Sequence, residues 1–222
     1  MPTPRRSARA PSPAPADARA KLIAAGFRVL SERGYDATTV KEVAKEAGVN
    51  QGLVHYYFGS KDGLLLAVTD EAFRQYSAEL QRLREETPLE GLADASFAWG
   101  ERRLREAPEQ YRLRFELFAL GLRNKELQEA VSGMARRGAD EVALSLARVR
   151  SGAKGAVEPL DRELAAILVA CFDGLALRHL LDPRFDPQPA FELLRTLVMG
   201  TAQARPPRAG PSSGLTRRAP RR

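Results

Sequence analysis

"TTVKEVAKEAGVNQGLVHYYFGSK", Thr38 to Lys61, is the stretch whose reading decides the fold. Thr39 and Glu42 form a Ser/Thr-x-x-Glu capping box, which predicts where a short helix begins. Val40, Val43, Ala44 and Ala47 then give that helix an apolar stripe. Gly48 in "AGV" supplies the tight turn between two helices, and Asn50 is the expected cap of the next one. Val49 and Val54 stand on either side of that cap as a hydrophobic staple. A helix-turn-helix is the expected local structure.

Asn50 as cap orients the helix from Gln51 to Phe58. Val54 and Phe58 are one helical turn apart and point into a small core. Gln51, Gly52, His55 and Tyr56 then fall on the opposite face, with Leu53 at its edge. Such a face suits a DNA major groove. Gln reads adenine in a bidentate way, Gly52 admits a close backbone approach, and Leu53 can pack on a thymine methyl. Tyr56 and Tyr57 offer hydroxyls to phosphate oxygens, contacts that position without specifying. Ser60 and Lys61 open the following helix, where free N–H groups and an ammonium make a phosphate grip.

Outward from this stretch, apolar residues recur at three and four almost everywhere, so the chain reads as all-α. A first helix carries Leu22, Ile23, Gly26, Phe27 and Leu30 on one face, with Asp17 as N-cap and Gly34 as its stop. The helix after Ser60 carries Leu65, Val68, Ala72, Tyr76, Leu80 and Leu83 at helical spacing. "EETPLEG" around Pro88 is the clearest joint in the chain, and a domain boundary is expected near it. Five more helices follow: Pro88 to Ala107, one opening at Pro108, Lys125 to Arg150, Pro159 to Leu181, and one after "DPRFDPQP" ending near Gly200. About nine helices are therefore expected, with no solenoid repeat.

Composition narrows the class. The chain has 222 residues, 44% hydrophobic, enough for a real core. No uninterrupted apolar run reaches the ~18–20 residues of a membrane span, and "MPTPRRSARAPSPAPADARA" lacks a signal peptide's apolar stretch. One cysteine, Cys171, excludes an internal disulfide framework, fits a reducing cytoplasm and reads as a small core residue. The net charge of +7 is carried by the ends: residues 1–20 hold +3 and residues 202–222 hold +6, so residues 21–201 come to −2. Basic Pro/Ala/Arg-rich ends of this kind add salt-sensitive attraction to phosphates or simply solubilise.

Residues 17–64 resemble the DNA-binding domain of the TetR family of bacterial transcriptional regulators (AcrR-like). The matching elements are "TTVKEVAKEAGV", the ring cluster "HYYF" and the "SKDGLL" that opens the fourth helix. The resemblance implies that Gln51, Gly52, Leu53 and His55 face bases. It also implies base or phosphate contacts from Thr39 and Lys41, and backbone contacts from Tyr56, Tyr57 and Lys61. The usual family residue at position 55 is tyrosine, which sets His55 apart. The implied organisation is a disordered basic N-terminal tail (1–16), a three-helix helix-turn-helix domain (17–62), a larger helical effector-binding and dimerisation domain (63–201) and a disordered basic C-terminal tail (202–222).

The same resemblance implies a homodimer that presents its two recognition helices to a pseudo-palindromic operator in double-stranded DNA. Leu168, Phe172, Leu175 and His179 on one helix and Phe191, Leu194, Leu197 and Val198 on the last suit an intersubunit four-helix bundle. Ala166, Ala170 and Gly174 permit close approach. Phe97, Trp99, Tyr111, Phe115 and Phe118 are the candidate lining of an effector pocket for an apolar or aromatic small molecule, with Arg114 and Glu116 as candidate polar contacts. No metal or cofactor is expected, since there is no His-x-x-x-His or Glu-x-x-His pair and no Gly-rich phosphate loop. The implied function is a cytoplasmic, nucleoid-associated repressor released by its effector. A ligand-independent or activating regulator fits the same residues, as does a helical protein-interaction module. An all-α enzyme fits them least.

Overall fold

The structure is a computed structural model that describes residues 15–152 and 155–203. Among the described residues it consists of nine helices and no strand. They are α1 (Pro15–Ala37), α2 (Val40–Glu46), α3 (Gly52–Phe58), α4 (Lys61–Glu86), α5 (Leu89–Glu106), α6 (Pro108–Arg123), α7 (Lys125–Ser151), α8 (Pro159–Leu181) and α9 (Gln188–Gln203). The expected basic tails lie outside the described residues except at their inner ends, where residues 15–16 belong to α1 and residues 202–203 to α9.

The capping box forms in full: the Glu42 N–H donates to Thr39 Oγ1 at 3.2 Å and the Thr39 N–H donates to Glu42 Oε2 at 3.0 Å. α2 ends in a Schellman turn, in which the Val49 N–H reaches the Ala44 carbonyl and the Gly48 N–H reaches that of Lys45. Gly48 takes φ +66° there, a conformation a side chain would strain. Asn50 Oδ1 then accepts the Gly52 N–H at 2.8 Å and starts α3. Gly34, expected to stop the first helix, is a non-helical break (φ +75°) after which α1 resumes for a final turn.

One apolar core runs through both ends of the expected domain division. Leu22, Leu30, Val43, Val54, Leu64 and Val68 from α1–α4 are buried together with Leu113, Leu117 and Leu120 of α6 and Leu127 and Val131 of α7. A second cluster joins α5, α7, α8 and α9 through Phe97, Leu146, Leu164, Leu168 and Val198. α4 reaches both regions, since its first half packs in the shared core and its second half lies against α7 and α5. At 1.5 Å per residue its 26 residues span about 39 Å.

α8 corrects the sequence reading of apolar runs. It has 23 residues and a mean hydropathy of 1.8 over its most apolar window, enough by length and composition to cross a membrane, with 22% of that window buried in the protomer. Apolar runs interrupted by Asp173 and by Arg178-His179 conceal this from a search for uninterrupted stretches. Asp173 inside α8 is ion-paired with Arg114, and α8 packs on α6, α7 and α9.

Candidate DNA-binding face and cavity

The short α3 is held by its inner side. Val54 is fully buried, while Leu53, Tyr57 and Phe58 are half-buried against the shared core. Gln51, Gly52, His55 and Tyr56 are exposed, Tyr56 to 78%. The reading face expected from the cap is therefore the face left open, whereas Leu53 and Tyr57 divide their surface between core and solvent. Gly52 has no structural need to be glycine: its φ is not positive, and the one atom an added Cβ would meet is the exposed Asn50 Oδ1 at 3.1 Å.

The His55 ring nitrogen Nδ1 lies 3.2 Å from the Gly59 carbonyl. A carbonyl needs a donor, so Nδ1 carries a hydrogen and Nε2 is the ring nitrogen left facing outward for another partner. Thr39 and Lys41 are exposed at the start of α2, although the Thr39 hydroxyl already donates to Glu42 at 2.9 Å. Lys61 is half-buried with its ammonium 3.9 Å from the centre of the Tyr35 ring. Tyr35 also hydrogen-bonds Asp62 through its hydroxyl, and its backbone N–H donates to Glu116 of α6 at 2.8 Å. Burial, followed by the Asp62 contact, pushes the Tyr35 phenol up to about 12. Glu116, considered above as a pocket residue, belongs to this junction between α1, α4 and α6.

A cavity of about 180 Å³ lies between α4, α5, α6, α7 and α8. Phe97, Trp99 and Tyr111 line it, as does Arg114. Phe115 does not, because it packs with Leu104, Ala176 and Phe191 in a separate cluster. Phe118 is turned towards the shared core, with the Arg114 guanidinium 5.1 Å from its ring. Residues missed at the sequence level complete the wall: Phe73 and Tyr76 from α4, Arg103 from α5 and Phe172 from α8. The α4 stripe already contained Tyr76, but only tertiary packing shows that it faces a cavity.

The side chains expected at the dimer seam divide between inside and outside. Leu168, Phe191 and Val198 are buried inside the protomer, and Phe172 packs on Phe97 and Phe191 as part of the cavity wall. Leu175 and Leu194 are half-buried against internal clusters. His179 places Nδ1 2.9 Å from the Phe185 carbonyl, fastening the loop between α8 and α9. Leu197, Ala166, Ala170 and Gly174 do face outward as expected, and Ile167 (54% exposed), Leu177, Leu181 (77%) and Leu193 join them on the outward stripe.

A capped helix-turn-helix with one open polar face, carried on a larger helical body, defines a DNA-binding transcriptional regulator. The chain belongs to the TetR family: residues 22–68 match the model of bacterial regulatory proteins of the tetR family, and residues 89–203 match that of the BetI-type transcriptional repressor C-terminal domain. It is 42% identical over 77 residues to the HTH-type transcriptional regulator BetI of Brucella anthropi, covering 34% of this chain and 40% of that one. The BetI of Brucella canis is 29% identical over 165 residues, covering 73% of this chain and 80% of its own. The regulator HbdR of Aromatoleum sp. is 36% identical over 83 residues, 36% of either chain. The fatty acid degradation regulator FadR from Bacillus halodurans has the same fold, with a TM-score of 0.67 at 19% identity over 82% of this chain and 97% of that one.

Proposed function

We propose that the chain is a homodimeric repressor that binds a pseudo-palindromic operator and is released when a small molecule occupies the cavity between α4 and α8. The observation that carries this reading is the open face of α3, where Gln51, Gly52, His55 and Tyr56 are exposed above a fully buried Val54. Gln51 and His55 are the base readers, Gly52 lets the backbone approach, and Leu53 borders the same groove. Tyr56, Tyr57, Lys41 and Lys61 meet phosphates, and Thr39 stands beside them at the start of α2.

The dimer is formed by α8 and α9. Five large apolar side chains on one outward stripe, interleaved with Ala166, Ala170 and Gly174, support a close-packed seam with a second copy. Release follows from a shared wall. Phe27, Leu113 and Leu117 line the cavity and also pack in the core beneath the helix-turn-helix, and the Glu116 side chain fixes the Tyr35 backbone. An effector acts by binding more tightly to the arrangement whose recognition helices no longer match the operator. Such a protein works on the nucleoid in the cytoplasm.

Fluorescence anisotropy with DNA flanking the gene tests the reading. Submicromolar, salt-dependent binding that prefers one sequence is expected; equal affinity for scrambled DNA would sink it.

A further inference from the structure

The cavity has a polar end whose chemistry is one-sided. Arg103 and Arg114 both line it and both are largely buried. Asp173 is the one acidic side chain of the wall, and it is already occupied by Arg114, whose Nε and Nη2 donate to Oδ2 at 3.2 and 3.0 Å. Arg103 donates one N–H to Glu79 at 2.8 Å and has no other hydrogen-bond partner among the described residues. The phenols of Tyr76 and Tyr111 stand at the same end and make no hydrogen bond among the described residues. Burial pushes both phenols up, Tyr76 to about 12; Arg103 and Arg114 pull them back, while Glu141 raises Tyr76 and Asp173 raises Tyr111. Gln110 adds an amide whose buried oxygen is unpartnered. That oxygen is an acceptor, and beside it stand the spare donors of this end of the wall, the remaining N–H groups of Arg103 and the two phenols.

The rest of the wall is apolar and aromatic, formed by Phe97, Phe172, Phe73 and Trp99. A cationic ligand would ordinarily use the ring faces of Tyr76 and Trp99. Those faces are taken: the Arg103 guanidinium lies 5.3 Å from one ring centre and 5.1 Å from the other. A second cation would be buried beside two guanidinium groups with no free carboxylate. An anion meets the unpaired N–H groups of Arg103 and two phenols, with Arg114 beside them holding Asp173, and N–H and O–H groups bonded to a carboxylate are about twice as strong as their neutral equivalents. The volume is close to the ~150 Å³ that accommodates one benzene ring.

Resting on the reading of this cavity as the effector site, we propose that the effector is a small apolar monoanion, a ring-bearing or short-chain carboxylate. Its head is received by Arg103, Tyr76 and Tyr111, with Arg114 beside them, and its body lies among Phe97, Trp99 and Phe172. Trp99 is the chain's single tryptophan and borders the site, so intrinsic fluorescence reports occupancy directly.

The test uses the full chain and three probes of matched shape: 3-phenylpropionate, its amide and 3-phenylpropyl-trimethylammonium. Each is titrated by Trp99 fluorescence and by calorimetry, alongside a carboxylate series from benzoate to decanoate. The carboxylate is expected to bind saturably, at least tenfold tighter than the amide, with the ammonium weakest. Arg103→Gln should collapse the carboxylate-to-amide ratio towards one, and an unchanged ratio in the folded variant overturns the assignment of Arg103. Equal binding of acid and amide, tighter binding of the ammonium, or no saturable binding by any carboxylate overturns the proposal. Carboxylate binding that leaves operator affinity unchanged keeps the anion site and removes the release mechanism, so the two readings fail separately.

Discussion

Gly52 separates folding from function at the residue scale. No positive φ requires glycine there, the one close contact of an added Cβ is the exposed Asn50 Oδ1 at 3.1 Å, which must shift slightly, and glycine in a helix costs about 0.5–1 kcal/mol relative to alanine. Gly52→Ala is therefore expected to leave thermal stability equal or slightly higher while weakening operator binding by about 1–3 kcal/mol, the scale of one good base contact. Unimpaired binding by a folded Gly52→Ala protein would remove the close-approach role. Gln51→Ala should relax discrimination at one base pair by about 1–3 kcal/mol, read from a set of single-substituted operators. The outward face of α3 was legible in the sequence because a cap residue fixes the phase of a helix, and the phase fixes which side chains point out. The His55 contact to Gly59 was not legible, since it depends on how the chain leaves the helix.

Two junctions carry the load between elements. At the first, an added Cβ on Gly63 would stand 2.0 Å from the Phe58 carbonyl oxygen, so α3 and α4 meet only because residue 63 lacks a side chain. The second is the Glu116 carboxylate on the Tyr35 N–H. In Glu116→Ala the effector should bind as before, while its effect on operator affinity shrinks by about 0.5–2 kcal/mol. The comparison is one anisotropy titration with and without effector, and undiminished coupling would place the route elsewhere. A further clamp joins α7 to α8, where Arg150 donates to both oxygens of the buried Asp161. Hydrogen bonding from Arg150 holds that carboxyl below its ordinary range. A carboxyl whose pKa falls on folding stabilises above its unfolded value of about 3.9, and that stability drains away as pH drops through and below it. Asp161→Asn should therefore be less stable at pH 7 and show a flatter loss of stability in acid, measured by denaturant unfolding at several pH values. Helix boundaries were legible through Thr39, Pro108 and Gly48, whose local chemistry is sufficient. The partnerships of Glu116 and Asp161 were not, because each joins elements that only the assembled fold brings together.

On the scale of the whole molecule, the apolar outer stripe of α8 and α9 calls for a second copy. Leu177→Glu is expected to yield a folded monomer by sedimentation that binds a full operator at least tenfold more weakly than the parent. A parent chain already monomeric at micromolar concentration would end the dimer reading. The all-α fold and the helix-turn-helix were read correctly from periodicity and caps. Which apolar side chains of α8 point outward was not legible, because the helix is apolar on nearly every side and Leu168 and Ile167 look alike until one is buried. The cavity was half-read for a related reason: rings on α5 and α6 were visible, but Phe73, Tyr76 and Arg103 join them only through packing.

Phe27, Leu113 and Leu117, which belong both to the cavity wall and to the core beneath the recognition helix, have a consequence for the resting protein. Under the proposed release mechanism, the balance between the arrangement that fits DNA and the one that does not would be a set-point fixed by ordinary packing before any effector arrives. A single methylene removed at Leu117 alters that packing by about 1 kcal/mol, and whatever part of this differs between the two arrangements moves their ratio, by roughly fivefold at most. Sensitivity to an effector can thus drift through conservative core changes that touch neither the operator nor the ligand.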